Sequence, residues 1–183
     1  MPRIPYPDIA KAAPETREMF GKLQALNIYR MMVHADTQMP RFVRFGNGLL
    51  FKTAIDPILR EMAILRVGYL SKASYEVHQH ERISRDLGMA EDKLQALKQG
   101  PEAPVFNELE RLVVRCTDEV VRNVKASDAT FKALADRLGH RQLSELILVI
   151  GFYMMVCRFL ENFEVDIEPE GSIARPLEAK AKR

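Results

Sequence analysis

Apolar positions recur along this chain at intervals of three and four residues, and alternating strand-like runs are scarce. That periodicity predicts helices nearly throughout. After a proline-rich stretch from Pro2 to Pro14, the pattern predicts a helix from about Glu15 to Leu26 and a short one from Ile28 to Ala35. Pro40 opens a third through Phe42, Val43, Phe45, Leu49 and Leu50, weakened by Gly46 and Gly48. Asp56 followed by Pro57 is a helix start, a capping side chain and then proline in the first turn. That helix runs to about Ser71, and the next covers Ser74 to Leu87 before Gly88 stops it. Ala90 to Lys98 is a short helix ahead of a loop from Pro101 to Pro104. Val105 to Val124 carries one apolar stripe of Phe106, Leu109, Val113, Cys116, Val120 and Val124. Ser127 caps a helix to Leu138, Gly139 closes it, and a last long helix reaches about Asn162. Together these predict an all-α, single-domain bundle of about eight helices over residues 1–183. A tight helical hairpin turns at Ser71 to Ser74, and residues 1–14 and 163–183 form extended arms.

Two of these helices break the usual rule of one apolar and one polar face. In the helix that starts at Pro57, the apolar residues Ile58, Leu59, Met62, Ala63, Ile64, Leu65, Val67 and Leu70 surround the axis. A helix apolar all round is buried. Arg60, Glu61 and Arg66 nevertheless leave it in three directions, so at least one charge should be inside and in need of a partner. In the next helix, Glu76, His80, Ile83 and Leu87 fall within roughly 60° of one another. Ile83 and Leu87 read as core-facing, which puts an acid and an imidazole in the middle of an apolar face. His78 projects to the opposite side with Glu81, Arg82 and Arg85.

Composition narrows the classes of partner. The chain has 183 residues, 47% of them hydrophobic and 28% charged, with a net charge of +2. That balance offers no electrostatic case for nucleic acid, and the one basic cluster, Lys180 to Arg183 without Ala181, is short. The longest apolar run, Leu146 to Cys157, falls short of the roughly 20 residues a membrane span needs and reads as a buried core helix. The proline-rich start has no apolar signal core. Cys116 and Cys157 form neither a CxxC nor a zinc pattern, which suits a reducing, cytoplasmic setting. Met31, Met32, Met154 and Met155 read as core filler.

Glu61 facing Glu76 and His80 across the hairpin would supply the missing partner. Two carboxylates around an imidazole form a proton-transfer device, because the acids raise the histidine pKa while burial lowers it. Three readings share this pattern. The triad can be a general acid/base site without cofactor, a Glu/Glu/His metal site of the iron, manganese or zinc kind, or a structural network that orients the hairpin.

The residues resemble a known family. Glu61-Met62-Ala63-Ile64-Leu65-Arg66-Val67, then Ser74-Tyr75-Glu76 and His80, are similar to the carboxymuconolactone decarboxylase/alkyl hydroperoxidase D superfamily. Tyr153 to Leu160 resembles the closing helix of its members, so the likeness spans roughly Ile4 to Val165. It implies an all-helical fold that assembles into dimers, trimers or hexamers with the central hairpin near subunit contacts. The peroxidase branch carries a CxxC pair at the positions of Ala73 and Glu76, so both sulfurs are absent here and peroxide reduction through them is not expected. What remains is similar to the decarboxylase branch, which uses no metal or organic cofactor and acts on a small carboxylated lactone. The resemblance assigns proton transfer to His80, with Glu76 and Glu61 tuning it. Tyr75 and Arg66 are candidates to bind the substrate carboxylate, although a structural ion pair is the favoured reading of Arg66.

Overall fold

In a computed structural model the described residues are 1–169, so the outer part of the expected C-terminal arm and the basic cluster at Lys180 lie outside them. Among these residues there are eight α-helices and no strand. They are α1 (Pro14–Gly21), α2 (Asn27–Met32), α3 (Met39–Phe51), α4 (Pro57–Ser71), α5 (Ser74–Asp86), α6 (Glu91–Ala96), α7 (Glu108–Asn123) and α8 (Asp128–Phe163). The helix α4 is the axle of the fold, packed against α5, α7 and α8, while α7 and α8 also pack on each other. Every residue from Leu59 to Gly68 on α4 is buried, as an apolar circumference requires. Asp56 caps α4 by accepting hydrogen bonds from the backbone N–H groups of Ile58 and Leu59.

The turn into α5 is tight because Lys72 takes a left-handed conformation (φ 55°) and the Ala73 N–H reaches back to the Gly68 carbonyl. Gly68 also sets the depth of the hairpin. A Cβ there would stand 3.0 Å from Val77 Cγ2, so only glycine lets α4 and α5 approach this closely. The expected stop at Gly139 is a break inside one long helical run: Gly139 leaves helical geometry (φ 72°, ψ 169°) and α8 resumes at once. By length and composition α8 could cross a membrane, with a mean hydropathy of 1.9 over its most apolar window, and half of that window is buried in the fold. Its inner face carries Leu146, Val149, Ile150, Tyr153, Val156, Cys157 and Leu160 against the core.

Several expectations shift. The helix α1 ends at Gly21, and the following segment leads Gln24 and Leu26 to the wall of a cavity. Leu87 is 40% exposed at the end of α5, and the position buried on that turn is Ser84. Met31 and Met32 are core, but Met155 is 49% exposed. The two arms are not free: the Arg3 N–H donates to the Phe163 carbonyl, and its guanidinium pairs with Glu164 at 2.8 Å.

Candidate active site

Ala73, ahead of α5, gives no side-chain cap, and Glu76 sits in the first turn. Unpaired amide N–H groups and the helix dipole favour a carboxylate there. His80 lies one turn on, and Glu61, 0% exposed, reaches toward it from α4. His80 Nδ1 is 2.6 Å from Glu61 Oε2. On the other ring edge, Nε2 is 3.0 Å from Glu76 Oε1, but bent out of line, so that oxygen is buried without an aligned donor. A buried acceptor left in this way is a place for a ligand group or water to donate.

Behind the histidine, Arg60 donates through Nε and Nη2 to Glu61 Oε1, both at 3.1 Å, and through Nη1 to the Leu50 carbonyl at 2.6 Å. Guanidinium, carboxylate, imidazole and carboxylate therefore form one chain, and with His80 protonated its formal charges cancel. Burial alone would push the imidazole pKa down. The charges of Glu61 and Glu76, with the Glu61 hydrogen bond, outweigh that and raise it to about 10. The Tyr153 ring stands edge-on to His80, centroids 5.0 Å apart. Burial, and then the two glutamates, hold the Tyr153 phenol far above its ordinary value. Burial followed by Glu76 pushes Tyr29 to about 12. Both phenols are thus donors at any physiological pH.

The open edge of this chain faces a cavity of about 90 Å³ walled by Glu76, His80, Tyr29, Tyr75, Gln79, Phe42, Phe152 and Tyr153. Glu61 and Arg60 stand behind its wall. A larger cleft of about 850 Å³ lies next door, shares Leu50 and Ile83 with the cavity, and is backed by Arg60. The acid/base groups face the smaller cavity, which makes it the candidate site.

The three residues expected to act together, Glu61, Glu76 and His80, are together. Tyr75 lines the cavity, but its hydroxyl donates to Glu168 at 2.6 Å. Arg66 is not at the site. Its guanidinium grips Asp118 with two bonds of 2.5 and 2.8 Å and donates to the Leu97 and Lys98 carbonyls, so its role is the structural ion pair. His78 is exposed on the far side of α5, as its phase predicts. Arg60, Tyr29 and Tyr153 are the site residues that spacing missed. A signal for Arg60 existed in the all-round burial of α4, while the tyrosines come from helices remote in sequence.

The metal reading does not fit this geometry. The two ring nitrogens of His80 point apart and each meets one carboxylate, so the donors bracket the ring instead of converging. Among the described residues no group of three or more His, Cys, Asp or Glu is disposed to hold a metal ion. Both cysteines are buried free thiols. Burial raises Cys116 to about 12 and also pushes Cys157 up, with Glu76 adding to the latter, so neither is poised as a thiolate.

No curated protein matches the chain in sequence. Among solved structures, an uncharacterized peroxidase-related protein from Ralstonia eutropha, described as an alkylhydroperoxidase AhpD core, superposes with a TM-score of 0.80 at 16% identity, covering 92% of this chain and 93% of its own. An uncharacterized peroxidase-related protein from Silicibacter sp. TM1040 gives 0.78 at 18% identity, over 92% and 91%. A protein of unknown function from Agrobacterium tumefaciens gives 0.67 at 20% identity, over 71% and 90%. These likenesses establish the fold. The Carboxymuconolactone decarboxylase family model matches residues 39–119, the segment that carries Glu61, Glu76 and His80. That segment is thus similar to the carboxymuconolactone decarboxylase family, and the fold around it is the one shared with the alkylhydroperoxidase D-like structures.

Proposed function

We propose that this chain is a cofactor-independent lyase or isomerase that moves a proton on a small enolisable carboxylate, of which a carboxylated lactone is the leading example. The observation that carries this reading is His80, clasped by buried Glu61 on one ring edge and presenting the other, beside Glu76, to a cavity. A histidine whose pKa is raised to about 10 rests in the protonated form, so its first act is that of an acid.

In a decarboxylation, the bond to the leaving carboxylate breaks and its electron pair passes into the adjoining carbonyl system as a dienolate while carbon dioxide departs. The Nε2–H of His80 then protonates the carbanionic carbon, and solvent returns the proton to the ring. Tyr29 and Tyr153 supply neutral O–H donors on the cavity wall for the developing oxyanion. Arg60 holds Glu61, and Glu61 fixes the ring so that Nε2 faces the cavity.

Proton NMR in deuterated water, with a panel of carboxylated lactones and β-keto acids, tests the reading. Wild type should decarboxylate or exchange deuterium into a panel member, and His80→Gln should be slower by about 10²–10⁴-fold. Equal turnover by folded His80→Gln would refute it. The thiol peroxidase alternative is disfavoured, since Ala73 and Glu76 stand where its sulfurs would be.

A further inference from the structure

Glu168 is 9% exposed, and among the described residues no cation pairs with it. Its hydrogen bonds come from neutral donors. Oε1 accepts from the Tyr75 hydroxyl at 2.6 Å and from the Asn27 backbone N–H at 2.5 Å, and Oε2 accepts from the Gln79 amide at 2.6 Å. Removing a carboxylate from water costs several kcal/mol unless donors are aimed at it, and here both of its oxygens are met. Glu168 belongs to an irregular strap, residues 165–169, which follows α8 and crosses to α2 and α5. Apolar side chains could have pinned such a strap. Val165 does so at the near end, where it packs into the core, but the far end is anchored by an acid, inserted where three donors converge.

Two of those donors belong to the site. Tyr75 and Gln79 are one turn apart on α5, each adjacent in sequence to a site residue, Glu76 and His80, and both line the same cavity. We propose that Asn27, Tyr75 and Gln79 form a carboxylate-binding subsite of this cavity, and that Glu168 occupies it as an internal surrogate for the carboxylate of a small organic acid. A ligand whose carboxylate replaced that of Glu168 would extend its body toward Glu76 and His80. Binding and release of the strap are then a single exchange. The tethered acid competes at an effective concentration in the millimolar range, which sets the affinity a ligand needs. The inference rests on the reading above only in treating the ligand as a substrate.

The test is titration of wild type and Glu168→Ala with sodium acetate, against sodium chloride at equal ionic strength, followed by saturation-transfer NMR and thermal unfolding. Acetate should bind Glu168→Ala at least about tenfold more tightly than wild type and raise the unfolding temperature of that variant alone. Adding Tyr75→Phe and Gln79→Leu should abolish the effect. Equal acetate binding by wild type and Glu168→Ala, or binding that survives loss of the Tyr75 and Gln79 donors, overturns the proposal. Glu168→Gln, which keeps the bulk of the strap, takes the place of the alanine variant if that fails to fold. No turnover is read, so a failed titration leaves the acid/base reading standing, and absent turnover leaves the subsite standing.

Discussion

At the scale of single residues, the site works through one imbalance: His80 has two carboxylate neighbours and a guanidinium one step removed. The two carboxylates outweigh burial and raise its folded-state pKa to about 10, above the ordinary 6.5. The folded protein therefore holds this proton more tightly than the unfolded chain does. The resulting stabilisation is complete below about pH 6.5 and disappears as pH rises through about 10, and it is on the order of several kcal/mol. Urea unfolding of wild type across that window should show the midpoint falling, and His80→Gln should lack this component. Parallel curves would mean that the clasp adds nothing to stability. Glu61, Glu76 and His80 were legible in the sequence because charge on a face of helical phase that should be apolar demands a partner. Leu87 was misread by the same phase argument, since the end of α5 buries Ser84 and leaves Leu87 turned outward. Tyr153 and Tyr29 were invisible because no local pattern connects α8 or α2 to the hairpin.

At the scale of helices, α4 owes its central position to two buried arginines that solve the same problem on different sides. Arg60 is neutralised within the site by Glu61, whereas Arg66 ties α4 to α7 through Asp118 and to the end of α6 through backbone carbonyls. Gly100 (φ 114°) lies against the Arg66 guanidinium, 3.1 Å from where its Cβ would be, so the loop after α6 closes on this pin. Arg66→Met should cost about 3–5 kcal/mol, because Asp118 is left buried without that partner. Turnover per folded molecule should stay near that of wild type. Urea midpoints paired with activity below the unfolding range separate these effects, and a stable but inactive variant would return Arg66 to the substrate. Helix starts were legible at Asp56 and Ser127, which cap through their own side chains, whereas the helix expected from Val105 begins at Glu108 behind the Asn107 cap. The end of α1 was not, since the apolar spacing of Leu23 and Leu26 persists after the helix stops at Gly21. There it serves packing in an irregular segment.

At the scale of the whole molecule, the question is what covers α8. Its inner face is core, but Leu148 and Met155, two turns apart, are 50% and 49% exposed, and Phe45 on α3 is 48% exposed. Phe45 and Met155 border an apolar groove with Met39, Phe152 and Phe159, and Leu148 borders another with Phe131 and Leu143. Contiguous exposed apolar surface of this kind marks an association site. Phe42 and Phe152, stacked 4.9 Å apart, line both the first groove and the cavity of the candidate site. A partner on this face would therefore cover the back of the cavity wall. The sequence showed α8 as an apolar run, but not which half of it the fold leaves uncovered. We expect a homo-oligomer built across α3 and α8, and sedimentation velocity at micromolar concentration should find more than one copy per particle. Phe45→Lys with Met155→Lys should yield monomers of unchanged helix content, because neither side chain enters the core. A monomeric wild type, or an assembly indifferent to both lysines, would place the interface elsewhere and leave this groove without a partner of its own kind.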